Sequence, residues 1–535
     1  MRRWNGWGDD TVAMELQGNA RAFLAEHVGD ASAPDDAALE DALAQVEGQP
    51  SRLLPHPLVS TAAEDRLRAS FGQSLGDWLR LRFGRLGPVA DGVAWPESAD
   101  EVRQLLDWAA DTGARVLPCG GATSVVGHLT PPGGRPVLTL HMTRLRRLLQ
   151  LDPLAQLARF EAGVSGPDLE AQLRAHGWTL GHFPQSFEYS TLGGWIVTRS
   201  SGQQSARYGR IEALFAGGTM QTPTGPLVIP SFPASAAGPD LREWVLGSEG
   251  RLGVLTEATV RISRLPQRER FVGVFLPGWA AGDAAARELA QARIGLSMLR
   301  LANPVETLTT LRLAGHERAI AWLERVLRWR GCGANKVLLM MGLTGSAAQV
   351  RAMQSQAAAI LRRRGGVSTG TLLGSKWQAN RFRGVYLRNA LWSAGYAVDT
   401  METAVDWPRV PRMMQAMEQA GREALAALGE RCHAYTHLSH VYAQGSSVYS
   451  TFVFRIGPDF DTSWARWRAL KDAVSAAVVR EGGTITHQHG VGKDHAAWLG
   501  AEKGERGLRG LRNLIEHFDP QGVLASGNLL TDDPR

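Results

Sequence analysis

Apolar residues recur at helical spacing from Ala20 to Val28 and from Leu39 to Val46, and Pro34, Pro50, Pro55 and Pro57 interrupt the pattern. Residues 1–85 therefore read as a helical N-terminal arm. The pattern then shortens. Val93-Ala94-Trp95-Pro96 reads as a strand end, and Ser98 with Asp100 and Glu101 reads as a helix start. Val102, Leu105, Leu106 and Ala109 share one face of that helix, and Gly113 is its stop. Ala114–Pro118 and Val137–Leu140 are two further short strands. Phe160–Gly163 ends another strand, Pro167 opens a helix that Gly177 closes, and a strand runs from Val254 through Ile262. Beyond residue 269, helical patterns at 281–293, 305–328, 346–363 and 409–428 alternate with strands at Val337–Met341 and Ser447–Phe454. A last helix lies in 506–535, followed by the turn Asp519–Gly522. The fold class is α+β. Its parts are the arm at 1–85, a domain at 86–268, a cap domain at 269–505 and a C-terminal segment at 506–535.

Composition narrows the function classes. The chain has 535 residues, 44% apolar and 21% charged, an ordinary globular balance without long disorder. No run approaches the roughly 18 apolar residues of a membrane span. Neither Met1–Asp10 nor Asp532–Arg535 carries a secretory, lipidation or retention signal, so a cytoplasmic setting is expected. The net charge of +6 is scattered, and no nucleic-acid partner is implied. Cys119, Cys332 and Cys432 form neither a disulfide framework nor a CxxC metal site.

Glycine changes the picture. It numbers 60 residues, and the excess clusters between 113 and 253, where three segments stand out. Pro118-Cys119-Gly120-Gly121-Ala122-Thr123-Ser124 follows a strand, where successive amides can converge on a diphosphate. Pro184-Gln185-Ser186 leads to Thr191-Leu192-Gly193-Gly194-Trp195 and Thr198-Arg199-Ser200-Ser201-Gly202, a density of small residues that lets a flat ring lie against backbone. Gly247-Ser248-Glu249-Gly250-Arg251-Leu252-Gly253 precedes a strand. Each segment alone is also compatible with a plain turn.

Taken in order, these segments resemble the FAD-binding domain of the vanillyl-alcohol-oxidase/p-cresol-methylhydroxylase family, and within it the alkylglycerone-phosphate synthase (alkyl-dihydroxyacetonephosphate synthase) branch. Trp4-Asn5-Gly6-Trp7-Gly8, Gly181-His182-Phe183-Pro184, Tyr208-Gly209-Arg210-Ile211-Glu212, Tyr386-Leu387-Arg388, Glu402-Thr403 with Trp407, His487–Lys493, Asp519-Pro520 and Gly527–Leu530 carry the resemblance from one end of the chain to the other. It implies a two-subdomain FAD domain completed by the C-terminal segment, and non-covalent FAD. Pro118, Gly120, Gly121, Ala122, Thr123 and Ser124 would hold the diphosphate. Ser186, Thr191, Gly193, Thr198 and Ser201 would line the ribityl chain and ring, and Glu249, Gly250 and Val254 would complete the pocket. Ala122 stands where the branch has a third glycine.

The same resemblance gives roles in the cap. Arg388 would hold the acyl-ester substrate, and Tyr449, on a period-two strand, would remove its C1 proton, helped by a cation such as Arg388 or a histidine. His487 and His489 would both project toward the substrate, with Gln488 where the branch has a middle histidine. The implied reaction replaces the acyl group of acyl-dihydroxyacetone phosphate by a fatty alcohol through a flavin N5 adduct, an ether-lipid synthesis. A flavin oxidase or dehydrogenase of a 2-hydroxy acid or alcohol is the alternative, and a non-catalytic flavoprotein a third. The substrate is lipid-like or phosphorylated. Peripheral membrane contact and a homodimer stay open.

His433, His437 and His440 read as strand residues, which would set 437 and 440 on opposite faces. Related 2-hydroxyacid dehydrogenases carry two histidines and a glutamate as metal ligands in this region. Gln444 and Gln488 occupy two of the three positions, so no catalytic metal is expected. Gly366-Val367-Ser368-Thr369-Gly370 matches a hydrolase elbow, but a helix reads before it and the match is taken as chance.

Overall fold

The computed structural model describes residues 1–16, 18–313 and 317–531. The chain enters through four helices, Gly18–Val28, Leu39–Glu47, Ala63–Arg68 and Leu75–Arg82. It then builds two sheets before the cap. The strands β1 (Val59–Ser60), β2 (Gly92–Ala94), β3 (Arg115–Cys119) and β4 (Val137–His141) form a sheet in the order β1-β2-β4-β3, with β2, β4 and β3 parallel. The helix Ala99–Thr112 makes the crossover. Ser98 caps it by accepting from the Glu101 amide, and Gly113 ends it at φ 72°, where a side chain would be strained. An antiparallel sheet follows, in the order β5-β6-β10-β8-β9: β5 (Leu148–Asp152), β6 (Leu157–Glu161), β8 (Phe215–Thr222), β9 (Gly225–Ile229) and β10 (Val254–Arg261). β7 (Trp178–Thr179) pairs with β11 (Ser263–Arg264).

The cap is a seven-stranded antiparallel sheet, β15-β12-β14-β13-β17-β18-β16. Its strands are β12 (Arg268–Leu276), β13 (Met298–Ala302), β14 (Val337–Gly345), β15 (Val367–Ser368), β16 (Tyr396–Asp406), β17 (His433–Leu438) and β18 (Gly445–Arg455). Alternation assigns its two faces. Leu299 and Leu301 of β13, with Val448, Phe452 and Phe454 of β18, pack under the helices Trp279–Gln291, Ala347–Arg363, Val410–Ala426 and Phe460–Arg480. Met298, Arg300, Tyr449 and Thr451 face a cavity on the other side. The chain then returns. Val523 and Leu524 join the core of the first sheet, and Leu499, Ile515, Phe518, Leu529 and Leu530 join that of the second.

Two sequence expectations change. The single helix over 305–328 is two helices, Pro304–Leu313 and Glu317–Trp329, and residues 314–316 lie outside the described residues, as do 532–535. His440 lies beyond the end of β17, so the strand argument that set it opposite His437 fails; both histidines line the same cavity. The helix Ala347–Arg363 does precede Gly366–Gly370, and Ser368 lies within the two-residue edge strand β15 and not at the turn into the next helix, so it takes no nucleophile-elbow position.

Candidate active site

β3 runs into Gly120-Gly121-Ala122-Thr123-Ser124, which lies flat on the segment 189–191. A Cβ on Gly120 would stand 2.2 Å from Thr191 Oγ1, and one on Gly121 1.7 Å from the Tyr189 carbonyl oxygen. Ala122 adopts φ 52°, in the left-handed region, so the methyl replacing a glycine hydrogen is accommodated at some strain. Among the described residues, the amides of Gly120, Gly121, Thr123 and Ser124 donate to no other backbone group. A run of unspent donors in a cavity wall suits an anionic diphosphate, which is the fit that FAD requires. All fourteen residues expected at the cofactor, from Pro118 to Val254, line one cavity of about 710 Å³.

Glu249 has a second task. At φ 51°, its carboxylate accepts from the amides of Val491 (2.5 Å) and Gly492 (2.8 Å) and lies 2.8 Å from His128 Nε2. It pins the histidine loop to the cofactor domain, so its acidic group is committed to protein rather than to the flavin. Glu249→Ala is expected to cost about 3 kcal/mol, because it strands His128 and two buried amides. Thermal unfolding should show a fall in Tm of several degrees with reduced FAD retention.

The first residues close this side. Arg2 Nη2 donates to the Gly121 carbonyl (2.6 Å), and its guanidinium lies over the Tyr189 ring. Trp7 lines the cavity and exchanges hydrogen bonds with the Asn389 amide on the cap (3.2 and 2.9 Å).

Strand register builds the opposite wall. Glu402 of β16 and His437 of β17 both stand directly opposite Tyr449 of β18. Directly opposed residues share a face, so the three form one row across the sheet. The His437 ring stacks on Tyr449 (centroids 4.7 Å apart, planes at 20°), and His489 meets it edge-on at 5.8 Å. Behind His437, Nδ1 lies 3.0 Å from Glu306 Oε2 and 3.1 Å from Arg300 Nη2, and Arg300 pairs with Glu306 at 2.5 Å. Burial pushes the Tyr449 phenol above its usual range; Glu402 and Asp399 push it further, against a hydrogen bond with Thr400 and the charge of Arg300. Arg300 thus supplies a cation that lowers the phenol, but burial outweighs it and the phenol rests protonated. Burial also lowers His437 and His489, which keeps both imidazoles neutral at neutral pH.

Arg388 lines the cavity, stacks on Trp78 at 4.2 Å and donates to the Gln73 carbonyl. Burial lowers it to about 10, so it stays charged. Arg381 also lines the cavity, over Phe183 and Phe382, and its buried Nη1 has no hydrogen-bond partner among the described residues.

His487 departs from expectation. The loop presents Gln488 and His489 to the cavity, and His487 turns behind it. Its Nε2 meets Tyr442 Oη (2.7 Å) and Arg210 Nη1 (2.6 Å), and its Nδ1 lies 3.2 Å from Glu402 Oε1. Glu402 further accepts from Ser439 and Gln488, both at 2.7 Å. Burial opposes its ionisation, but its histidine neighbours, His487 first, hold the carboxyl well below the usual carboxylate range. Ligand-type atoms of Glu402, His440 and His487 lie within 4.8 Å of one another, a grouping that the sequence reading missed. The hydrogen bonds of this trio make it a scaffold that fixes Gln488 and His489. The sequence reading also missed Arg300 and Glu306, which lie 149 and 143 positions before Tyr449 and carry no motif.

Comparison with known proteins agrees with this geometry. Residues 90–229 match a family described as FAD binding domain, and residues 265–529 match the C-terminal domain of FAD linked oxidases. An alkyldihydroxyacetonephosphate synthase of Trypanosoma brucei brucei is 28% identical, covering 99% of this chain and 93% of the relative. A solved alkyldihydroxyacetonephosphate synthase superposes with a TM-score of 0.81 at 26% identity, covering 98% of each chain. Substrate-bound p-cresol methylhydroxylase shares the fold alone, with a TM-score of 0.70 at 13% identity over 93% of this chain and 98% of that one. Cofactor cradle, cap and sequence matches thus run in one order along one chain, which carries the FAD binding domain and the C-terminal domain of FAD linked oxidases and takes FAD as its cofactor.

Proposed function

We propose that the protein is an alkyldihydroxyacetonephosphate-synthase-type transferase, which exchanges the acyl group of acyl-dihydroxyacetone phosphate for a fatty alcohol. The observation that carries this reading is the composition of this cavity. It is lined by the FAD turn, by three guanidinium groups, Arg300, Arg381 and Arg388, and by apolar residues that include Leu313, Leu387, Leu391 and Val398. Cationic and apolar groups in one cavity suit a phosphorylated headgroup on an alkyl chain.

When bound, FAD supplies an electron-poor ring that accepts and returns electron density at the reacting carbon. The chain supplies the rest. Arg381, with its unpartnered Nη1, and Arg388 hold the phosphate. Tyr449 sits on the wall as a protonated phenol. To take up the C1 proton it must pass its own proton on, and the neutral imidazoles of His437 and His489 are the acceptors beside it. Glu306 and Arg300 fix His437; Glu402, through Gln488 and His487, fixes the loop that carries His489.

Purified holoprotein given acyl-dihydroxyacetone phosphate and a long-chain alcohol is expected to release fatty acid and form the alkyl ether, with the flavin oxidised at the end. Absence of ether product rejects the reading. Bleaching of the flavin by 2-hydroxy acids under anaerobic conditions would move it to the oxidoreductase alternative. A cytoplasmic location with contact at a membrane surface fits a lipid substrate.

A further inference from the structure

Trp7 reaches the cavity wall from the opening residues, and its neighbours fix it there. A Cβ on Gly6 would stand 2.7 Å from Asn389 Oδ1, and one on Gly8 2.3 Å from the Tyr386 ring, where the backbone already adopts φ 79°. The two glycines therefore let residues 6–8 lie flat on the cap. The Trp7 side chain is buried and stands edge-on to Tyr189, with ring centroids 5.7 Å apart. Tyr189 is also the residue whose carbonyl abuts the diphosphate turn at Gly121.

The indole N–H of Trp7 is unspent. Trp78, Trp195, Trp392, Trp407 and Trp467 each donate to an oxygen of the protein, at 2.8, 2.7, 2.9, 3.1 and 2.9 Å. Trp7 Nε1 is buried and finds no acceptor among the described residues. A donor left unmade in the interior is costly, and it calls for a partner that arrives with a ligand or a water. Trp279 shares the unspent N–H but takes no part in the cavity wall, whereas Trp7 does.

The surroundings set the charge of that partner. Gln73 ties three parts of the site together. Its backbone amide donates to the Ser124 carbonyl at the end of the diphosphate turn (2.6 Å), its side chain donates to the Gly6 carbonyl (3.3 Å), and its own carbonyl accepts from Arg388. Trp7 is thus tied to a turn of unspent amides and to a buried guanidinium, and both favour an anion. The nearby acids are already engaged. Asp77 accepts from Ser74 and Thr130, Asp399 from Trp467 and Lys471, and Glu188 from Tyr386.

We infer that the Trp7 indole N–H donates to a phosphoryl oxygen bound in the cavity, either of the substrate headgroup or of the FAD diphosphate. The substrate source rests on the function proposed above; the FAD source does not.

The test compares wild-type holoprotein with two others: Trp7→Phe, and a protein carrying benzothienylalanine in place of Trp7. That residue keeps the outline of tryptophan and has sulfur where the N–H was, so a role in packing alone would survive it. Free-flavin fluorescence on dilution gives the affinity for FAD, and perturbation of the bound flavin's spectrum gives the affinity for dihydroxyacetone phosphate. Both altered proteins are expected to lose about 10–100-fold in one of the two affinities, the worth of a hydrogen bond to a charged group. Thermal unfolding of the benzothienyl protein should match that of the wild type. A loss confined to dihydroxyacetone phosphate identifies the substrate phosphate as the acceptor, and a loss in FAD affinity identifies the cofactor diphosphate. Trp279→Phe should change neither. A benzothienyl protein that binds both as the wild type does would overturn the inference, whatever Trp7→Phe shows. Wild-type protein that ignores dihydroxyacetone phosphate would count against the proposed function and leave the FAD affinities to decide the role of Trp7.

Discussion

Tyr449→Phe is expected to lower ether formation by about 10²–10⁴-fold while the flavin spectrum stays that of the wild type. The substitution removes one oxygen and keeps the ring that stacks on His437, so packing along the row from Glu402 to His437 is retained. What is lost is the only hydroxyl in that row, and with it the group proposed to take the C1 proton. The pH profile should separate this from a structural effect. Burial and the nearby carboxylates hold the phenol protonated well into the alkaline range, so wild-type activity should not require its prior ionisation at neutral pH. Residual activity in the variant should show no inflection from this group. Steady-state rates and the flavin spectrum of the two proteins, taken side by side, make the measurement. Unchanged turnover would remove Tyr449 from the chemistry.

Gly121→Ala is expected to yield a colourless protein. A methyl placed 1.7 Å from the Tyr189 carbonyl oxygen meets backbone, not a movable side chain, so the turn must lift from the segment 189–191. Lifting it scatters the amides that would grip the diphosphate. It also breaks the contact from Arg2, which is made to the carbonyl of this same glycine. The expected result is loss of FAD on gel filtration and a FAD affinity lower by at least about 10²-fold, in line with several lost charge-assisted hydrogen bonds. Gly133→Ala, at a glycine with open space around its would-be Cβ, should keep its colour and serves as the control. Retention of FAD by Gly121→Ala would mean that the cofactor is held elsewhere.

The cofactor wall was legible in the sequence because it is local. Its residues sit in three short segments whose glycines and hydroxyls announce close backbone approach, and every one of them lines the cavity. The catalytic wall was legible only where a motif marked it. Tyr449 could be placed on a strand by its alternating neighbours, but which residues stand opposite it depends on pairing among three strands separated by long helices. Glu402 and His437 therefore entered as parts of motifs, without their row. Arg300 and Glu306 belong to an ordinary strand and an ordinary helix start, and only the packing of one on the other gives them a role. His487 was misplaced for a related reason. The spacing of a loop shows that its side chains can converge, but not which one turns inward when Tyr442, Arg210 and Glu402 compete for it.

The latch between the two walls has a consequence for biosynthesis. Trp7 finds its partner at Asn389, 382 positions later, so the cap side of this latch stays open until about half of the cap has been made. At translation speeds of about 5–20 residues per second, that wait is roughly 20–80 s. During this interval Arg2 cannot be fixed from the cap side, and stable capture of the prosthetic group should come late, after the nascent chain is nearly complete.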